Sequence, residues 1–287
     1  MSADFWLALA AKMAASAAVV VSASLIVERS GPVVGALIAT LPISAGPAYV
    51  FLALEHDPDF LARSTLASLA VNVGTAPLIL VYARLAQRHG LAISLGAAFG
   101  TWFGVALLAS SLPLDVRAVA GLNVVSYAGA YLLTRPYRAA PRPVRAPSGP
   151  WDLPTRAATV MGVVATVVLA ARWLGPSAAG VAALVPVVLT SLILVLHPRA
   201  GGPATAAVMA NSIPGMMGFS AGVLTLHVTV MPLGNTAALL LALAVCVSWN
   251  AALLAVVLRS ARRGRPGRAN ASHGAGRGSK DGSPSRC

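Results

Sequence analysis

The sequence predicts an all-α polytopic membrane protein of about nine transmembrane helices, arranged as two four-helix inverted repeats joined by one extra helix. The chain of 287 residues is 57% hydrophobic and only 10% charged, with a mean hydropathy of +0.78. A water-soluble fold of this length needs far more polar surface, so the bilayer is the expected solvent. The second observation is a set of apolar runs of membrane-spanning length, and the third is a weak internal repeat.

Nine apolar runs are long enough, at roughly 20 residues each, to cross a bilayer as helices. They are 6–27, 31–53, 60–83, 90–112, 116–134, 155–173, 175–197, 204–226 and 235–259. The predicted organisation is therefore a first four-span repeat (6–112), a joining span (116–134), a cytoplasmic loop rich in Pro and Arg (135–154), a second four-span repeat (155–259) and a disordered basic tail (260–287).

The positive charges predict the orientation. With nine spans, 17 Lys and Arg residues fall on one face and only four on the other, and the four are Lys12, Arg63, Arg117 and Arg172. Because Lys and Arg concentrate on the cytoplasmic side, the N-terminus is expected outside and the C-terminus in the cytoplasm of a bacterial inner membrane. A tenth span would place the basic tail outside.

The formal net charge of +13 does not indicate nucleic-acid binding, because the basic residues lie in short inter-span segments and in the tail. The expected partners are the lipid bilayer and a small-molecule solute. The tail either contacts anionic lipid, at about 1 kcal/mol per residue held near the surface, or acts only as an orientation signal.

The internal repeat has an offset of 144 residues. Gly31-Pro32, Pro42 and Lys12 recur as Gly175-Pro176, Pro186 and Arg156. Gly-Pro, an isolated Pro and a basic residue are rare enough in apolar segments to favour duplication of one membrane unit.

A weaker sequence similarity relates spans three and four to spans eight and nine. Thr75-Ala76-Pro77 resembles Ser212-Ile213-Pro214, and Thr101-Trp102 resembles Ser248-Trp249. Spans one to four therefore pair with spans six to nine. Only one span, span five, lies between the two four-span units. The second unit therefore enters the membrane from the opposite side and is inverted relative to the first.

The second unit resembles the GlpM-like family of small four-span inner-membrane proteins. The resemblance rests on Arg156 opening its first span, Pro186 in the second, Ser212 and Pro214 in the third, and Trp249 in the last. The first unit matches at Lys12, Pro42, Thr75, Pro77 and Trp102, with Thr replacing Ser. The resemblance implies an inner-membrane protein and no defined biochemistry.

Prolines mark two predicted helix breaks. Pro42, with Pro47 close behind it, and Pro186 each leave the carbonyl four residues earlier without its backbone donor. Such a carbonyl must find another donor in hydrocarbon, and Ser44 and Thr190 lie near the two breaks. Paired breaks in two halves are typical of a midplane binding site, and an ordinary packing kink is the alternative.

The polar residues Asn72, Asn211 and Ser212 are the other candidate ligand contacts. Asn72 lies about 12 residues into its span, or roughly 18 Å along a helix. A buried amide supplies a donor and an acceptor to a polar ligand. The alternative is an interhelical hydrogen bond, worth about 0.6 kcal/mol on average.

Lys12 and Arg156 hold equivalent positions near the openings of the two units. Deep burial would make them charge sites on a solute pathway. Close to the interface they extend their charges to the membrane surface instead.

Catalytic and metal-ligating groups are missing from the predicted spans: the sequence places no His in the core of a span, no Cys/His cluster and no embedded carboxylate pair. We therefore expect neither an enzyme, a cofactor nor a metal site. The function predicted is a permease for a small neutral or anionic solute. The alternative is a non-transporting accessory or assembly protein whose small-residue faces dock partner helices.

Overall fold

The computed structural model describes residues 3–29, 45–138 and 151–263. Every regular element within them is helical. The helices are α1 (Ala3–Arg29), α2 (Ala45–Glu55), α3 (Pro58–Asn72), α4 (Thr75–Leu85), α5 (Leu91–Ser111), α6 (Val116–Leu133), a 3-10 turn (Arg135–Tyr137), α7 (Asp152–Leu174), α8 (Pro176–Ala183), α9 (Val187–Ala200) and α10 (Gly202–Arg263).

Four helices of this described part are long and apolar enough to span a membrane: Pro58–Leu85, Leu91–Ser111, Val116–Leu133 and Gly202–Val256. Large apolar side chains such as Leu107, Val125 and Leu240 are exposed on them, which suits contact with lipid chains. The predicted class, a helical polytopic membrane protein, is therefore confirmed. The nine predicted spans fit this succession of helices, with most of the second span, 31–44, outside the described residues.

Short polar turns set the ends of the helices. Asp57 precedes α3 and accepts a 2.8 Å hydrogen bond from Phe60 N, and Asp115 does the same for α6 through Ala118 N at 2.8 Å. These side chains satisfy amides that a helix start leaves free. The starts of α3 and α6 are thus both capped by an aspartate side chain.

Gly234 bends α10 into two arms. Its φ of 75° and ψ of 170° are non-helical and lie in a region that only glycine adopts readily. The arms, 202–233 and 235–263, pack on each other where Gly222 meets Cys246 and Gly218 meets Trp249. They carry predicted spans eight and nine, but the first arm runs on through 227–233, which the sequence placed between spans.

The helix α3 lies at the centre of the bundle and packs against α8, α10, α5 and α6. One buried cluster joins Leu61 and Leu69 of α3 to Ala179 of α8 and Val223 of α10. A second cluster surrounds Tyr82, Trp102 and Tyr127. The close approach of α8 to α3 depends on Gly180, because a Cβ there would collide with the Ser64 carbonyl oxygen.

One predicted span is discontinuous, and a second is interrupted only in its hydrogen-bond pattern. Predicted span seven is not one helix over 175–197: α8 ends at Ala183 and α9 begins at Val187, which leaves a break at residues 184–186. Predicted span three is interrupted at residues 73–74, between α3 and α4, although both residues keep right-handed helical backbone angles. We refer to these as the 184–186 break and the 73–74 interruption.

Candidate functional site: a buried polar layer around Asn72

Asn72, the last residue of α3, is the centre of a buried hydrogen-bond network. Its Nδ2 donates to Asn123 Oδ1 of α6 at 3.0 Å and to Ser220 Oγ of α10 at 2.6 Å. Its Oδ1 accepts from the Tyr127 hydroxyl at 3.1 Å. Both donors of the Asn72 amide are therefore used within the protein, and three helices meet at this side chain.

Asn123 completes the network on α6. Its Nδ2 donates to Leu69 O and to Val119 O, each at 2.9 Å, while its Oδ1 accepts from Asn72. The side chains of Asn72, Asn123 and Tyr127 are at most 4% exposed. Because a buried amide without partners is costly, these bonds hold α3 and α6 in one register.

A second group of polar side chains lies one helical turn away on α3. Ser68 Oγ donates to Gly180 O of α8 at 2.8 Å, and the Tyr49 hydroxyl of α2 donates to Ser68 Oγ at 2.6 Å. Ser68 and Asn72 share one face of α3, since they are four residues apart. The buried polar layer is defined as Tyr49, Ser68, Asn72, Asn123, Tyr127 and Ser220.

The 73–74 interruption is explained by Pro77. Proline cannot donate to the carbonyl four residues earlier, which here is that of Val73. Ser126 of α6 replaces the missing donor, with Oγ 2.8 Å from Val73 O. The junction of α3 and α4 is thus linked to α6 by the side chain that replaces the donor missing at Pro77.

The 184–186 break adjoins the same part of the core. Pro186 is its last residue, and Thr190 Oγ1 donates back to Pro186 O at 2.7 Å. The chain before the break, at Leu184, belongs to one buried cluster with Leu69, and Leu189 after it belongs to another with Val71. The residues on either side of this break therefore belong to the two buried clusters that also contain residues of α3.

Asn211, Ser212 and Pro214 are not brought to this layer. Asn211 is exposed, and its Nδ2 donates to Ala207 O at 2.8 Å and to Arg138 O at 3.4 Å. Ser212 Oγ donates to Met209 O in its own helix at 2.8 Å, and Pro214 O accepts from Trp249 Nε1 at 2.8 Å. The structure thus separates Asn211 from Asn72, which the sequence had paired as ligand contacts.

The remaining predicted positions are distributed as follows. Pro42 and Ser44 lie outside the described residues, and Pro47 lies in the first turn of α2. The ammonium group of Lys12 forms an ion pair with Glu55 of α2, so this charge is matched by a carboxylate between two helices. Arg156 is part of α7, and its side chain lies outside the described set.

The sequence interpretation missed most of the residues that bond Asn72. Asn123 and Tyr127 are four residues apart in an otherwise apolar span, a spacing that places both on one helix face and was available as a signal. His227, one residue past the predicted end of span eight, was also not singled out by the sequence interpretation. Because α10 continues to Gly234, His227 lies inside it, with Nδ1 3.0 Å from Ala62 O and 3.2 Å from Thr65 Oγ1.

A further polar contact joins α4 and α9. The Tyr82 hydroxyl lies 2.7 Å from His197 Nδ1, near the end of the bundle that the sequence assigns to the cytoplasm. Side-chain hydrogen bonds to other helices therefore occur near the start of α3 (His227), at its end (the polar layer) and in α4 (Tyr82).

The fold and its polar layer define a polytopic helical membrane protein with interrupted helices beside buried amides. Comparison of the chain with protein-family models, with curated proteins and with solved structures finds no match. The described residues hold no group of three or more His, Cys, Asp or Glu suited to a metal ion. What the site offers chemically is hydrogen bonding, from side-chain amides and hydroxyls.

Proposed function

We propose that the protein is a permease for a small neutral or anionic solute, built from two inverted four-span units that meet at the buried polar layer. The observation that carries this proposal is the 184–186 break. A helix interrupted inside a membrane exposes backbone amides and carbonyls that lipid cannot satisfy, so such breaks are tolerated where they line a cavity or are buried in protein. In transporters, such interruptions form the solute site.

Contacts between and within the two predicted units support the inverted arrangement. The first spans of the two units, α1 and α7, pack on each other, and so do the third spans, α3–α4 and the first arm of α10. Trp102 packs on Gly74 in the first unit, as Trp249 does on Gly218 in the second. Equivalent elements in mutual contact are what a pseudo-two-fold axis in the membrane plane produces.

The relation to the GlpM-like proteins, the bacterial inner membrane and the outside N-terminus form part of the same proposal. The described acidic turn residues Glu55, Asp57 and Asp115 lie at the opposite end of the spans from Arg84 and Arg88. This asymmetry is the support for the orientation. Contact of the basic tail with anionic lipid is proposed on its charge alone.

The experiment is a flux measurement with purified full-length protein in liposomes. Glycerol, acetamide and sodium acetate serve as solutes, and light scattering reports vesicle swelling. We expect entry of at least one solute to exceed that into empty liposomes. Pro186→Ala should lower this flux, because alanine supplies the missing amide and lets α9 extend across the break. Pro198→Ala, an exposed proline of the same helix, is the matched control and should leave flux unchanged.

A non-transporting accessory protein is the second candidate, and one observation favours it. Both donors of the Asn72 amide are bonded inside the protein, as expected for an interhelical contact rather than a ligand site. Flux equal to that of empty liposomes for all three solutes, from folded protein, would contradict the permease and favour this candidate.

A further inference from the structure

His227 of α10 has one ring nitrogen that is bonded and one that is not. Its Nδ1 lies 3.0 Å from Ala62 O and 3.2 Å from Thr65 Oγ1, both of α3. Its Nε2 has no hydrogen-bond partner among the described residues. The residue is partly exposed, and Nε2 is not one of the fully buried unpaired atoms of the described chain, so this nitrogen retains accessible surface.

The contacts of Nδ1 determine the tautomer of the ring. A backbone carbonyl only accepts hydrogen bonds, so Nδ1 must carry the hydrogen that it directs to Ala62 O. The Thr65 hydroxyl lies 2.9 Å from Leu61 O and 2.9 Å from Ala62 O, and it donates its own hydrogen to these carbonyls. In the neutral ring Nε2 is consequently unprotonated and acts as an acceptor.

His227 belongs to the membrane-spanning part of α10. It lies within the candidate span Gly202–Val256, and the bend at Gly234 is roughly 10 Å further along the helix, at about 1.5 Å per residue. Ionisable side chains inside a span are costly and are typical of solute and proton pathways. Histidine is the side chain that most readily gains and loses a proton near neutral pH.

The same two helices carry His227 and the polar layer. Thr65, Ser68 and Asn72 are spaced three and four residues apart, so they lie on one face of α3, and each is at most 2% exposed. On α10, Ser220 and His227 are two turns apart and also share a face. The contact between the third spans of the two predicted units is therefore polar at two levels, with an ionisable group at one of them.

The charged and titratable groups at this end of the bundle bond elsewhere. Asp59 and Arg63 form an ion pair at 2.6 Å, Glu55 pairs with α1, and two aspartates cap helix starts. Those of α4, α9 and the 3-10 turn lie toward the opposite end. No described hydrogen bond or ion pair joins any of them to His227, so a proton on Nε2 is not held in a fixed ion pair and can be released. The groups on the elements packed against the first arm of α10 at this end are Glu55, His56, Asp57, Asp59, Arg63, Asp115, Arg117 and Cys246.

We propose that His227 is a proton-binding site and that the permease carries a proton together with its solute. A proton from water binds the lone pair of Nε2, and the ring becomes an imidazolium while Nδ1 keeps its bond to Ala62 O. The new Nε2–H needs an acceptor that the described contact of α3 with α10 does not supply. The two protonation states therefore favour different arrangements of these helices. The coupling to solute rests on the proposed function, whereas the proton site is testable without any flux.

The first test observes the ring nitrogens by nuclear magnetic resonance. Full-length protein with ¹⁵N in the imidazoles of its five histidines is placed in lipid nanodiscs and titrated from about pH 8 to about pH 5. We expect Nε2 of His227 to be an unprotonated acceptor at the upper pH and to gain a hydrogen as the pH falls, with Nδ1 protonated throughout. A hydrogen on Nε2 at the upper pH, or no gain over the range, overturns the proton site.

Two variants sharpen the experiment. His227→Asn identifies the resonances, because the asparagine amide can still donate to Ala62 O but takes up no proton. His89→Asn, an exposed histidine between α4 and α5, is the matched control and should leave the titration of His227 unchanged. If His227→Asn does not fold, replacing each of the other histidines in turn identifies His227 by elimination, and the unchanged chain decides.

The second test measures coupling in the liposomes of the flux experiment. A trapped pH-sensitive dye reports the internal pH while solute enters, with empty liposomes as the baseline. We expect solute entry to acidify the interior, His227→Asn to reduce this acidification to the baseline, and His89→Asn to retain it. Solute entry without acidification, or equal acidification with His227→Asn, overturns the coupling.

The outcomes separate the proton site from the permease. Protonation of His227 at Nε2 without any solute flux keeps the proton site and contradicts transport. Flux without a titrating Nε2 keeps the permease and overturns the proton site.

Discussion

Asn72 of α3 and Ser220 of α10 are joined by a 2.6 Å hydrogen bond in the buried polar layer. The two helices are the third spans of the two predicted units. The same Asn72 amide also bonds Asn123 of the joining span. One side chain thus connects both predicted halves and the helix between them.

Removal of this amide should destabilise the bundle. Asn72→Ala leaves Asn123 Oδ1 and the Tyr127 hydroxyl without their partner, and we expect a loss of about 1–3 kcal/mol in the free energy of unfolding. The measurement is unfolding in mixed micelles. Asn211→Ala, an exposed amide, is the control and should change stability by no more than about 0.5 kcal/mol.

The Asn72–Ser220 bond itself can be isolated with a double-mutant cycle. Combining Asn72→Ala with Ser220→Ala should give a coupling energy of about 0.6 kcal/mol and no more than about 1.7, the range found for hydrogen bonds between membrane helices. Strict additivity of the two losses would show that the two side chains do not interact.

Ser126 should matter only while Pro77 is present. Ser126→Ala leaves Val73 O without a donor and should cost about 1–3 kcal/mol in the free energy of unfolding. Pro77→Ala supplies a backbone amide to the same carbonyl, so the double variant should be less destabilised than the sum of the single changes. Equal effects of Ser126→Ala with and without Pro77 contradict the compensation.

The close approach of α8 to α3 predicts a contrast between two glycines. In Gly180→Ala the new Cβ meets the Ser64 carbonyl oxygen and lies 3.1 Å from Ala67 Cβ. Overpacking of this kind costs about 1–3 kcal/mol. Gly100→Ala on exposed α5 meets nothing within 4 Å and should be neutral or stabilising by up to about 1 kcal/mol. Thermal unfolding of the two variants side by side checks the contrast.

The 184–186 break should control the local exchange of backbone amides. Pro186→Ala permits a hydrogen bond to Ala182 O and removes the steric reason for the break. Hydrogen exchange of the peptide that contains residues 184–189 should slow relative to the unchanged protein. Unchanged exchange would mean that packing, rather than Pro186, maintains the break.

The spans could be predicted because the length of an apolar run is read directly from the sequence, and a helix needs roughly 20 such residues to cross a bilayer. Pro186 likewise marked a break, since the effect of proline on a helix is local. The partners of Asn72 were not predicted, because they come from α6 and α10, and no local rule says which distant spans pack together.

The end of predicted span eight differs from the end of the helix. The span was predicted to end at residue 226, whereas the helix continues to the positive φ of Gly234 and includes His227. Asn72 and Asn211 were both predicted as ligand contacts because each is an amide within a predicted span, but Asn211 is exposed. The presence of an amide in an apolar run does not predict whether its side chain faces the core.

The most direct measurement is the chemical accessibility of the 184–186 break. In a background with Cys246→Ala and Cys287→Ser, Val185→Cys is treated in membranes with a charged, water-soluble thiol reagent, and Ile193→Cys, buried in the same core cluster, is the control. If the break lines a solute pathway, Val185→Cys is modified and excess permeant solute slows its reaction, while Ile193→Cys stays unreactive. Failure of the reagent to modify Val185→Cys from either side of the membrane contradicts a permease with its site at this break.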